Sequence, residues 1–323
     1  MVLGFPEPID VPIHAHPGAP SALGVLSYNG PLGQRGSGVP ALATGVFFHE
    51  AFVGRDWPII GDRYRGFPSL LADLKRSVPG VRLIKPDPVP EGLLARVHTP
   101  GYLERVRRAW YYEAARLTVG GAVRACEMVW RGELDNAVVF LVAAGHHAHR
   151  DYAWGGTYLS CIGPVLLRLR ELGLRKLAYL DTDAHHADGA RDILMGDREV
   201  LHVCFCHQDV EEDGGTKICV DVGWSTTDEA YLGLVREVLK KVRAFGPEMI
   251  VHFLGHDTHR EDYGSLGLSE DFFVELAGEI NSLAQEVCDG RYVILHGGGA
   301  NRRVAEHIWP RIIRLLAGRG GST

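Results

Sequence analysis

Short apolar runs alternate with amphipathic segments along most of this 323-residue chain, and that alternation restricts the fold more than any other feature. Ala137 to Ala144 is the strongest run, and Leu177 to Leu180, Val200 to Cys206, Met249 to Leu254 and Tyr292 to Leu295 are further runs of strand length. The segments between them carry apolar residues at helical spacing: Thr157 to Leu172, Glu229 to Phe245, Ser269 to Val287 and Asn301 to Ala317. Gly246-Pro247 stops the second of these, and Ser269 can cap the third. Upstream, Val46 to His49 and Val81 to Ile84 read as strands, and Pro68 to Ser77 and Gly120 to Arg131 as helices; Thr99-Pro100 opens another. Strands separated by helices must pair in parallel, with the crossovers covering both faces. The expected fold is therefore α/β: a mostly parallel central sheet with helices on both faces. Residues 1 to 43 show no period and many Pro and Gly, and read as an irregular arm on one domain spanning 1–323.

Each strong strand runs into a polar loop. Gly145-His146-His147-Ala148-His149 comes after the first run, and Asp181-Thr182-Asp183-Ala184-His185-His186-Ala187-Asp188-Gly189 after the second. Gly255-His256-Asp257-Thr258-His259 succeeds Leu254, and His296-Gly297-Gly298-Gly299 succeeds Leu295. Seven of the 16 histidines fall in the first three loops. In a parallel sheet these loops share the carboxyl edge, where open α/β sheets bind ligands. Four such loops together make a site, not a set of unrelated turns.

Asp183, His185 and Asp257 offer two oxygens and one nitrogen. Three protein ligands leave a position open, the mark of a catalytic metal. Zinc is the first choice, and iron(II) or manganese(II) accepts the same donors. The adjacent His146 and His147 lack the i, i+4 spacing of a helix metal pair and read as a proton-handling dyad. Each imidazole needs an orienting partner, and Asp181 and Asp188 are the carboxylates at hand.

Composition narrows the class further. A formal charge of −6 and a pI near 6.2 argue against a nucleic-acid surface. No apolar run approaches membrane-spanning length, and the Pro-broken N-terminus lacks a basic signal region, so a cytoplasmic protein is expected. None of the six cysteines forms a C-x-x-C pair, so they read as buried thiols and not as zinc ligands. Four Asn and three Gln are few for this length, which points to a hot source. Nothing here decides between a monomer and a homo-oligomer.

The motifs Gly145-His146-His147-Ala148, Asp181-x-Asp183-x-His185-His186-x-Asp188-Gly189, Gly255-x-Asp257 and Gly297-Gly298-Gly299-x-Asn301 occur in this order. Together they resemble the histone deacetylase superfamily, which includes acetylpolyamine amidohydrolases and acetoin-utilisation proteins. The resemblance begins near Val46, takes in Val97 to Tyr102 and runs to about Leu316. It implies the arginase- and deacetylase-like fold, zinc on Asp183, His185 and Asp257, and hydrolysis of an N-acyl group from acyl-lysine or an acylpolyamine. It also implies that His147 is the general base and acid, paired with Asp188, and that His146 acts electrostatically, paired with Asp181. A structural potassium ion near Asp181 to His185 is a further implication. The related ureohydrolases are excluded, because Ala187 stands where their D-A-H-x-D site needs a carboxylate.

The chain departs from the family at three places. Ala300 occupies the position of a tyrosine whose hydroxyl stabilises the oxyanion. Gly156, in Gly155-Gly156, stands where a phenylalanine usually walls the acyl tunnel, and Ala187 replaces a glycine. The expected substrate pocket is thus Gly155, Gly156, His296, Gly298, Gly299 and Ala300, with Tyr28 or His296 as candidates to replace the missing donor. Two readings are open: an enzyme using another donor, or a metal-loaded protein that binds an acylated ligand without turnover.

Overall fold

The computed structural model describes residues 43–54 and 62–319, so all but residue 43 of the expected arm lies outside the described residues. The strands are β1 (Thr44–Phe47), β2 (Val81–Ile84), β3 (Asn136–Phe140), β4 (Ala144–Gly145), β5 (Leu159–Ser160), β6 (Leu177–Asp181), β7 (Val200–Cys206), β8 (Val210–Glu212), β9 (Lys217–Asp221), β10 (Met249–Leu254) and β11 (Tyr292–His296). Nine of them form one sheet in the order β2-β1-β3-β11-β10-β6-β7-β9-β8. Every pairing in it is parallel except the β8–β9 edge hairpin. That hairpin had no clear apolar signal, since all three β8 residues are exposed.

The helices are α1 (Phe67–Ser77), α2 (Glu91–Leu94), α3 (Pro100–Arg107), α4 (Tyr112–Trp130), α5 (Ile162–Glu171), α6 (Asp188–Leu194), α7 (Asp228–Phe245), α8 (Glu270–Val287) and α9 (Arg302–Arg314). Their caps follow sequence. Thr227, Ser269 and Asn301 each accept an N–H from the first turn of α7, α8 and α9, and Gly246 ends α7 with φ 67°. Because side chains of a strand alternate, the sheet feeds two separate cores. Val138, Phe140, Leu180, Ile250 and Ile294 face α1 and α7–α9; Val139, Tyr179, Val251, Phe253 and Leu295 face α2–α6.

The expected eight-residue strand from Ala137 is cut short. The chain leaves the sheet after Phe140, Ala143 takes φ 55°, and Ala144–Gly145 pairs instead with Leu159–Ser160. That small parallel pair takes residues 159–160 out of the helix expected from Thr157, which begins only at Ile162. It also turns His146 and His147 over the end of the sheet.

Trp309 of α9 is fully buried against Phe140 (ring centroids 5.5 Å) and His296 (4.4 Å). Trp309→Ala is expected to lower unfolding free energy by about 3–5 kcal/mol, the cost of an aromatic deletion in a close-packed core. Denaturant titration checks it, and a loss below about 1 kcal/mol would mean that this layer collapses freely around the gap.

Candidate active site

The four polar loops leave β3, β11, β10 and β6, which are the four adjacent central strands. They therefore converge at one point on the carboxyl edge. Asp183 and Asp257 are buried there, while His185 is half-exposed. His185 Nδ1 lies 3.0 Å from both Asp183 Oδ1 and Asp257 Oδ2, and the three donor atoms are all within 4.8 Å of one another. Backbone amides hold the carboxylates: Gly298 N–H donates to Asp183 Oδ2 (2.6 Å) and Ala184 N–H to Asp257 Oδ1 (3.2 Å). Asp257 Oδ2 is buried and receives no aligned hydrogen bond. Burial and the neighbouring Asp183 push the Asp257 carboxyl up to about 7. An orphaned oxygen beside a second buried carboxylate and an imidazole fits a divalent cation.

Gly255 is required here. A Cβ on it would stand 2.5 Å from carboxylate oxygens of both Asp183 and Asp257. Gly189 is required for a different reason, since a Cβ would meet the backbone of His147 and Ala148 at 2.5–2.6 Å. This contact seats α6 directly beneath the dyad.

His146 Nδ1 is 2.9 Å from Asp181 Oδ2, and His147 Nδ1 is 2.7 Å from Asp188 Oδ1. Each carboxylate thus accepts a hydrogen bond from Nδ1–H and leaves Nε2 for other work. The two imidazoles are shifted in opposite directions. Burial alone would pull His146 down, but the carboxylates of Asp181 and Asp183 outweigh it and raise it. Asp181 is raised as well, by its own burial, so the proton between the two is held tightly. His147 is pulled down to about 3 by burial and by the charge on His146, against the attraction of Asp188. Burial pushes Asp188 up, yet hydrogen bonds from His147 and Trp154 outweigh that and hold it below the usual carboxylate range. Two like groups separated in this way are suited to separate acid–base duties.

The expected pocket residues divide. Gly155 (φ 58°) packs on His147, and Gly298 lies among the ligand oxygens. Beside Gly156, an aromatic side chain does lie against the dyad, that of Trp154. Its ring centroid is 3.6 Å from that of His147, and its Nε1 donates to Asp188 Oδ2 (2.6 Å). His296 must be corrected: it is fully buried behind the glycine run, with Nδ1 2.7 Å from Tyr64 Oη and Nε2 2.9 Å from His256 Nδ1. Both ring nitrogens are engaged, so it cannot serve as a donor to substrate. Tyr28 lies outside the described residues. The amide of Ala300 donates to the Asp262 carboxylate (2.9 and 3.0 Å), and that of Asn301 does likewise (2.7 Å).

Sequence reasoning missed Tyr263. It follows Asp262 in the same loop as Asp257, and the residue is 44% exposed while its hydroxyl reaches inward. A Cβ placed on Gly298 would stand 2.7 Å from each of three oxygens: Asp183 Oδ2, Asp257 Oδ2 and Tyr263 Oη. The hydroxyl oxygen accepts the Gly299 N–H (3.0 Å), which leaves its own proton to donate. Arg63 was missed too: its guanidinium binds the carbonyls of Gly297, Gly299 and Leu141 and ties the glycine run to the end of β3. His98 has a supporting role, with Nδ1 donating to His149 O (2.8 Å) and Nε2 accepting the Ser160 N–H (3.1 Å).

This fold and this site define an α/β protein with three donor side chains that could hold a metal and two His–Asp pairs at its carboxyl edge. Residues 62–316 match the histone deacetylase domain, and the chain belongs to that family. It is 26% identical to a probable deacetylase of Archaeoglobus fulgidus, over 86% of this chain and 87% of that one. A histone deacetylase-like amidohydrolase of Pseudomonas aeruginosa is 27% identical, over 77% of this chain and 74% of the relative. The crystal structure of the HDA15 HD domain superposes with a TM-score of 0.76 at 21% identity, covering 87% of this chain and 91% of that one, and so shares its fold. Among the described residues no helix is long and apolar enough to cross a membrane.

Asp183→Ala and Asp257→Ala are each expected to lose one equivalent of bound divalent metal relative to wild type. Metal analysis of dialysed protein checks this, and full retention in both variants would remove the site.

Proposed function

We propose that this chain is a zinc-dependent amidohydrolase that removes an acyl group from an amine such as an acyl-lysine or an acylpolyamine. The observation that carries the reading is the pair of His–Asp contacts flanking Asp183, His185 and Asp257, because binding alone has no use for a proton relay. Zinc held by those three residues would supply Lewis acidity to polarise an acyl carbonyl and acidify a water. Names of relatives support the substrate class, among them an acetylpolyamine amidohydrolase of Burkholderia pseudomallei, 29% identical over 53% of this chain.

The residues divide the work. His147, neutral and anchored through Nδ1 to Asp188, takes the proton of the attacking water at Nε2 and returns it to the leaving amine. His146, between Asp181 and Asp183, stabilises the negative charge that develops nearby. Trp154 covers the outer face of His147 and excludes solvent. Tyr263 donates its hydroxyl proton to the carbonyl oxygen as that oxygen becomes negative. The absence of a tyrosine at position 300 favoured a binding protein without turnover; a hydroxyl from residue 263 answers that point and supports an enzyme.

His147→Ala is expected to abolish hydrolysis of fluorogenic acyl-lysine and acetylpolyamine substrates while metal content stays intact; near-normal turnover would mean a different base. Tyr263→Phe is expected to lower kcat by about 10²–10³ with a much smaller change in KM, since the bond forms mainly to the transition state. Ala300→Tyr, which the sequence alone would mark as a gain, is then expected to bring none. An unaffected Tyr263→Phe together with a faster Ala300→Tyr would overturn the assignment of the donor.

A further inference from the structure

A second group of metal-ligating side chains lies outside the site described above. β7 places Cys204 and Cys206 on one face, two residues apart. Parallel register sets Cys219 of β9 directly beside Cys204. The loop after β6 brings His186 over all three. Its Nδ1 lies 3.5 Å from Cys206 Sγ, 3.6 Å from Cys219 Sγ and 3.8 Å from Cys204 Sγ. The three cysteines are buried and free.

One imidazole nitrogen has a single lone pair or a single hydrogen. It cannot bond to three sulfurs at once, whereas a shared cation would engage all of them; His186, Cys206 and Cys219 offer ligand atoms within 4.8 Å of one another, and Cys204 Sγ adds the fourth. Tetrahedral zinc with Zn–S of about 2.3 Å and Zn–N of about 2.0–2.1 Å requires a nitrogen-to-sulfur edge of about 3.6 Å. The observed separations are already at that length. The surroundings suit thiolates as well: the Arg191 guanidinium donates to Cys219 Sγ (3.1 Å) and the Ala187 amide to Cys204 Sγ (3.3 Å). Three thiolates and zinc leave one negative charge; buried Arg191 stands beside it and also pairs with Glu212 (3.2 Å).

We infer that His186, Cys204, Cys206 and Cys219 form a structural zinc site of the Cys₃His type, in which zinc displaces the three thiol protons to solvent. No C-x-x-C spacing announces it, because strand register and not sequence proximity assembles the ligands. All four protein positions are filled, so the site holds no open position for chemistry. Its role is to fasten the loop of Asp183, His185 and Asp188 to β7 and β9, since His186 directly follows His185. The inference does not depend on the metal at Asp183, His185 and Asp257.

Cobalt(II) loading tests it, in the full chain, with thiols kept reduced by a phosphine. Thiolate ligands give cobalt an intense near-ultraviolet charge-transfer absorption that carboxylate and imidazole ligands do not. Wild type should show this band and lose it when zinc is added. Asp257→Ala should retain the full band and one metal equivalent, because that substitution touches only the other site. Cys206→Ser and Cys219→Ser should each lose most of the band and one equivalent. If either variant fails to fold, the wild-type and Asp257→Ala spectra still decide. No charge-transfer band in those two proteins, or an undiminished band in a folded Cys206→Ser/Cys219→Ser double variant, overturns the assignment.

Discussion

Two carboxylates buried side by side, Asp183 and Asp257, govern the rest of the site. Removing a charge from water costs several kcal/mol unless it is paired. Here the compensation comes from backbone amides of Gly298 and Ala184 and from the His185 ring. The approach of Gly298 and Gly255 leaves no room for a side chain at either position. Arg63 then secures the glycine run by its carbonyls. The glycines, the arginine and the loop amides follow from holding those two charges in place.

The same low-dielectric setting separates the two histidines. Each has a carboxylate on Nδ1, but His146 also faces Asp183 at 3.8 Å, whereas His147 lies against Trp154. The carboxylates of Asp181 and Asp183 raise the first imidazole against its burial, whereas burial and the neighbouring His146 pull the second down. Neighbours and not residue type thus set the two rings apart.

Tyr263 stands beside the glycine run through a loop that departs from local sequence order. The β10–α8 loop folds back so that Asp262 accepts the amides of Ala300 and Asn301 and Tyr263 accepts that of Gly299. A residue far from the glycine run in sequence thereby occupies the space beside it. In our reading, the phenol that position 300 lacks enters from this loop.

Sequence alone determined the parallel α/β sheet, the four strand-end loops and the residues in them, because apolar periodicity and strand direction are local properties with one global solution. It also placed Asp183, His185, Asp257, His146 and His147 together, since parallel strands bring their carboxyl ends to one edge. Pairing Asp188 with His147 came only by resemblance, and the structure shows the contact. Tertiary structure decided matters of register and loop path. Whether His296 faces the site or the core depends on which side of β11 it takes, and it turned to Tyr64 and His256. Tyr263 depends on how the β10–α8 loop closes, and the convergence of Cys204, Cys206, Cys219 and His186 depends on the register between β7 and β9. Contacts of this kind join residues that no local pattern relates.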